Sequence, residues 1–199
     1  VLFEKVGHHI VSLNHLNDFK PQELSNILWA YGAYATAGVS HPDLFEKVGS
    51  HIALLNHLND FKPQELKDTV WSYAKAGVSH PELLDKVGSY IVTLDHLNDF
   101  KPQELAITVW AYATAGVSHP TLFEKLADHI VKLHHLNVFK PQDLSNILWG
   151  YATAGVSHPD LFDNAGHHII AHHMNDFKPQ ELSNTAWAFA KADASHPDL

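Results

Sequence analysis

Apolar side chains recur along this chain at helical spacing, in stripes of two alternating kinds. Leu44, Val48, Ile52 and Leu55 fall three or four residues apart, the spacing that gathers side chains on one helix face. Ser40 reads as the N-cap of that helix, Pro42 suits its first turn, and Asp43 completes a capping box. A second stripe, Leu66, Val70, Trp71 and Ala74, follows Lys62-Pro63-Gln64-Glu65, where acidic Glu65 favours the start of a helix. Gly77 closes it as a C′ residue. Two short amphipathic helices bury their stripes only by stacking on the next pair.

The pair repeats. Trp29, Trp71, Trp110, Trp149 and Trp187 step by 42, 39, 39 and 38 residues, and Ser40, Ser79, Ser118, Ser157 and Ser195 of the Ser-His-Pro triplets by 39, 39, 39 and 38. A constant period of this length marks a repeat architecture. The expected fold is all-α: an α-solenoid of ten helices in five pairs, forming one array over residues 1–199. Both ends cut a repeat open, so the array reads as an interior segment of a longer solenoid. Three extra residues around Tyr31, Gly32 and Ala33 approximate one turn and predict a longer, bent second helix in the first pair. One residue is missing near His172, where Leu13, Leu55, Leu94 and Leu133 suggest a recurrent buried position. Gly7, Gly49, Gly88 and Gly166 fall mid-helix at a cost of ~1 kcal/mol each relative to Ala. Ala127 replaces them in one unit, so smallness beneath a close neighbour explains the position better than backbone freedom.

Composition narrows the function. Cysteine is absent, which excludes disulfides and thiolate metal sites. Thirteen basic residues, all Lys, against 22 acidic give a net charge of -9. That balance opposes a strongly electrostatic nucleic-acid binder, although 18 His can offset part of it in mild acid. No apolar run approaches the ~20 residues of a membrane span. Met174 is the only Met, and no presequence-like segment opens the chain.

The strings "FKPQELSNILWAYATAG", as the repeats combine it, and "NDFKPQELSNTAWAFAKA" resemble the octotricopeptide repeat, a helical-pair repeat with a Pro-Gln-Glu-Leu-Ser-Asn…Trp-Ala core. Related repeats occur in RAP-domain proteins and in an RNA-editing substrate-binding subunit. The resemblance implies an organellar protein, of a chloroplast or mitochondrion, that binds single-stranded RNA and acts in transcript stability, processing or translation. It also implies modular reading, with a few side chains per repeat addressing one base. The Lys before each Pro-Gln and the acidic net charge depart from that family's habit.

Lys20, Lys62, Lys101, Lys140 and Lys178 precede every Pro-Gln and stand as candidates for the RNA backbone, near helix starts that favour anions. Asp18, Asp60, Asp99 and Asp176 lie two positions earlier and partly cancel them. Positions that vary on the constant frame are candidate base readers: Ser25 and Asn26, Lys67 and Asp68, Ser145 and Asn146, Ser183 and Asn184, with Tyr90 on a first helix. His8-His9, Ser50-His51, Asp128-His129 and His167-His168 occupy the first-helix positions that match Ser89-Tyr90. His168 and His172 share a helix face, yet two imidazoles fall short of a zinc site. The recurrent Trp reads as core. Ser, His and Asp form no unique nucleophilic set and no glycine-rich phosphate loop occurs, so neither an enzyme nor a cofactor is expected. The rival expectation is a scaffold held to a large organellar assembly, a ribosome or photosystem, by protein contacts.

Overall fold

A computed structural model describes residues 2–35, 41–133, 135–172 and 174–192. Ten α-helices run through them: α1 (Leu2–Ser12), α2 (Pro21–Ala35), α3 (Pro42–Ala53), α4 (Pro63–Ala76), α5 (Pro81–Thr93), α6 (Pro102–Ala115), α7 (Pro120–Lys132), α8 (Pro141–Ala154), α9 (Pro159–His172) and α10 (Pro179–Lys191). Two short 3₁₀ turns complete the elements, and no strand occurs among the described residues. The fold is an α-solenoid of helical pairs. It divides into two compact units, Val1–Thr93 and Leu94–Leu199.

Within each unit like packs on like. Second helices lie side by side, α2 on α4 in the first unit and α6 on α8 on α10 in the second; first helices do the same, α1 on α3 on α5 and α7 on α9. The second helices approach closely. A methyl added at Gly32 would sit 3.0 Å from the Ser72 backbone, and one at Gly150 would sit 2.5 Å from Val109 Cγ1.

The repeated text builds three recurrent devices, of which the fifth pair keeps the first. At the start of each second helix, the N3 carboxylate accepts the N-cap amide: Lys62 N–H donates to Glu65 at 2.8 Å and Lys140 N–H to Asp143 at 3.0 Å. At its end, Gly77, Gly116 and Gly155 adopt φ near 65°, the left-handed cap that glycine reaches without strain. Between the helices, a tyrosine hydroxyl donates to a carbonyl 28 residues earlier: Tyr31 to Phe3 at 2.6 Å, Tyr73 to Phe45 at 2.6 Å, Tyr151 to Phe123 at 2.5 Å.

The first helices start one residue later than expected. Their N-cap is His, not Ser: Nδ1 of His80, His119 and His158 accepts from the N–H of Leu83, Leu122 and Leu161, each at 3.3 Å. Proline keeps the preceding residue out of helical backbone, at φ -127°, ψ 67° in His41 and φ -141°, ψ 73° in His119, so the residue beside Pro takes the role. In α3 that residue is His41, while Ser40 lies outside the described residues.

Other expectations also shift. Gly7 and Gly49 are small because a Cβ would meet the His41 or His80 ring and the Tyr31 or Tyr73 hydroxyl, not another helix backbone. Leu13, Leu55, Leu94 and Leu133 are only half-buried; Leu16, Leu58, Leu97 and Leu136 are the leucines that plug the loop. Helix α2 has 15 residues against 14 in α4, α6 and α8. Because Tyr31 keeps its bond to Phe3, the insertion follows it. Tyr34 uses the extra turn to stack on Phe3, with centroids 4.4 Å apart, and the rest falls at 36–40, outside the described residues.

Candidate nucleic-acid interface

The five lysines occupy one structural position. Lys62, Lys101, Lys140 and Lys178 are N-caps of their helices, and the carbonyl of Lys20 accepts the first-turn amides of α2 in the same way. All five are exposed. Lys20 and Lys62 fall in the first unit and Lys101, Lys140 and Lys178 in the second. Beside most of them the N3 acid is buried, Glu65, Glu104, Asp143 and Glu181 being under one-tenth accessible. Burial raises the Asp143 carboxyl above its ordinary range, while the Lys140 amide and ammonium pull it back. Each lysine thus has its backbone committed to the helix start and its ammonium in solvent.

The varied residues sort by exposure. Asn26 is exposed and Asn146 and Asn184 are half-buried, all three accessible from solvent, as is Ser183. Ser25 and Ser145 are 1% exposed, sealed inside the packing of adjacent second helices, where a base edge does not reach. The Ser25 hydroxyl donates to the Gln22 carbonyl at 3.1 Å. Asp68 is buried and ion-paired to Lys67, so this pair satisfies itself.

Tryptophan corrects the sequence reading most. The core of each second helix is filled by Leu66, Val70 and Tyr73 and their equivalents, with Tyr73, Tyr112 and Tyr151 fully buried. The tryptophans stand off that stripe: Trp29 is 50% and Trp187 44% exposed, and Trp71, Trp110 and Trp149 are half-buried. Two aromatics at i and i+2 are about 200° apart on a helix and cannot share one face. The Trp-x-Tyr spacing therefore carried the signal, and Tyr won the core because its hydroxyl reaches a carbonyl there.

First helices contribute a second polar surface. A groove lies between the loop that joins the two helices of one pair and the first helix of the next. In the first unit it is lined by Asn17, His51, Asn56 and His57; in the second, one groove holds His96, Asn98, Lys125 and His129, and another His135, Asn137, Asn164 and His168. Lys47 Nζ donates to the Leu13 carbonyl at 2.6 Å, tying α3 to the residue after α1, and within the second unit Lys125 Nζ donates to the Leu94 carbonyl. Burial, then His15 and Lys47, hold His51 below the usual imidazole range; burial, then His96, Lys125 and Lys132, do so for His129. Burial and the Asp60 charge push the Tyr90 hydroxyl up, at the position where His51 and His129 stand elsewhere. No three His, Asp or Glu side chains gather as a metal site among the described residues, and the His172 side chain lies outside them.

Stacked helical pairs that place one Lys, one Trp and one varied residue in every repeat define a modular α-solenoid repeat protein. Residues 2–199 match the family described as RNA-editing substrate-binding complex 6 protein, and the chain belongs to that family. No curated protein matches the chain. Among the described residues, no helix is long and apolar enough to cross a membrane.

Proposed function

We propose that this chain binds single-stranded RNA as part of a mitochondrial RNA-editing assembly, reading it repeat by repeat in the octotricopeptide manner. The observation that carries the reading is the lysine position: exposed, recurrent, and set at a helix N-terminus in all five pairs. Such groups neutralise phosphates without selecting sequence, while accessible Asn26, Asn146, Ser183 and Asn184 are placed to address bases. Family membership supports an RNA-directed role and a mitochondrial setting. Stabilising or processing the bound transcript follows from occupancy alone and needs no catalytic group.

A scaffold reading draws on one observation, the exposed Asp18, Asp60, Asp99 and Asp176 two residues before their lysines, in a chain of net charge -9. The two readings part on salt. Each phosphate contact adds ~0.7 to the log–log salt slope of single-strand binding, so replacing Lys62, Lys101 and Lys140 by Gln lowers affinity and cuts the slope by about two. Unchanged affinity and slope in the triple variant make the lysines a solvated edge; no binding by either protein at low salt gives the function to the scaffold.

A further inference from the structure

The Lys positions account for backbone contacts but leave the exposed tryptophans without a role. An indole outside the core leaves a large apolar surface in water, as Trp29 and Trp187 do, while Trp71, Trp110 and Trp149 at the same position are half-buried. In the first unit the geometry is specific. The Trp29 and Trp71 rings lie nearly parallel, 24° between planes, with centroids 6.3 Å apart. At that separation the two indoles form an offset, nearly parallel pair, and Trp29, half exposed, presents ring surface to solvent beside its partner.

The neighbours of the indoles fit a base. Asn26 precedes Trp29 by three residues, as Asn146 precedes Trp149 and Asn184 precedes Trp187. Residues at that spacing are neighbours on a helix surface. An Asn amide offers both donor and acceptor, the complement of a base edge. Ser25 and Ser145 are buried, so only the second of each varied pair is accessible in those repeats.

We propose that the tryptophans form a stacking ladder for unpaired nucleobases, with a base laid on the exposed ring surface of Trp29 beside Trp71 and the preceding Asn contacting its edge. The inference rests on the RNA-binding reading and deepens it: lysines hold phosphates, tryptophans hold bases. Every base has a π-face, so stacking gives affinity without sequence, and the Asn positions supply preference. In the second and third pairs Asp68 and Ile107 replace Asn, so those rungs stack without reading an edge.

The test uses an unstructured oligouridylate and the same ribose–phosphate strand lacking bases. Binding of the oligouridylate to the wild-type chain quenches tryptophan fluorescence, and the abasic strand does not. Trp29→Ala weakens oligouridylate binding roughly 5- to 150-fold, the range of a lost aromatic–base stack, and leaves abasic binding unchanged. Trp29→Phe, which keeps a ring, recovers part of the loss. Trp29 is half exposed, so its variants keep the wild-type circular dichroism and melting curve; Trp71→Phe serves as the conservative second site. The ladder is overturned if Trp29→Ala binds both strands like wild type with no quenching, or weakens both strands equally. In either case lysine-dependent RNA binding stands, and the indoles are left to a protein partner. Failure of the wild-type chain to bind either strand at low salt removes both readings.

Discussion

Tyr73 and Trp71 sit two residues apart and divide the work of a repeat: the first closes the core and the second faces outward. Removing one hydroxyl tests the core side. Tyr73→Phe removes the hydroxyl's bond to the Phe45 carbonyl, which keeps its helical partner, and should destabilise by ~0.5–1.5 kcal/mol in urea unfolding. The same change at Tyr31, also buried and bonded to the Phe3 carbonyl, should cost a similar amount. Protonation gives a second residue-scale outcome. Burial and neighbouring cations depress His51 and His129 in the folded state, so the unfolded chain takes up protons first as pH falls. Their contribution to stability is whole above the ordinary imidazole pKa and is lost as pH drops through that value toward the depressed one. Urea midpoints should fall from neutral pH into mild acid, and His129→Gln should flatten that fall; an unchanged slope contradicts the assignment.

At the scale of elements, the fold was legible wherever the sequence repeated a local rule. Helix periodicity, the Pro-Gln-x-Leu starts and the Gly77, Gly116 and Gly155 stops each follow from chemistry within one turn. Gly116→Ala forces a left-handed backbone on a residue with Cβ, a cost of ~1–2 kcal/mol. What stayed hidden depends on contacts between elements. Serine was the expected cap because residue type favours it, but proline's constraint on its predecessor moved the boundary to His. Tryptophan was expected in the core because size favours it, but the seat was taken by a tyrosine whose bond lies 28 residues away. The fifth pair lacks two of the repeated devices: Phe189 stands where Tyr donates elsewhere, and α10 ends at Ala192 in right-handed geometry. Amide hydrogen exchange should be faster in α9 and α10 than in α7 and α8. Equal protection would show that stacking alone sets stability.

At the scale of the molecule, the proposed binding of a polyanion by a chain of net charge -9 has to rest on local arrangement. Exposed lysines at helix starts can do this while acidic side chains are buried beside them or left in solvent. The site itself was half legible. Lysines and asparagines could be read from spacing, but which varied residues face solvent could not, because Ser25 and Asn26 are equivalent in sequence and differ only in what packs on them. The most direct measurement is an anisotropy titration at low salt of one RNA sequence, single-stranded and then annealed to its complement. The account predicts that the single strand binds more tightly, with an affinity that falls as salt rises, because lysines take phosphates while its unpaired bases remain available. Equal binding of the duplex, or no binding of the single strand, would contradict it.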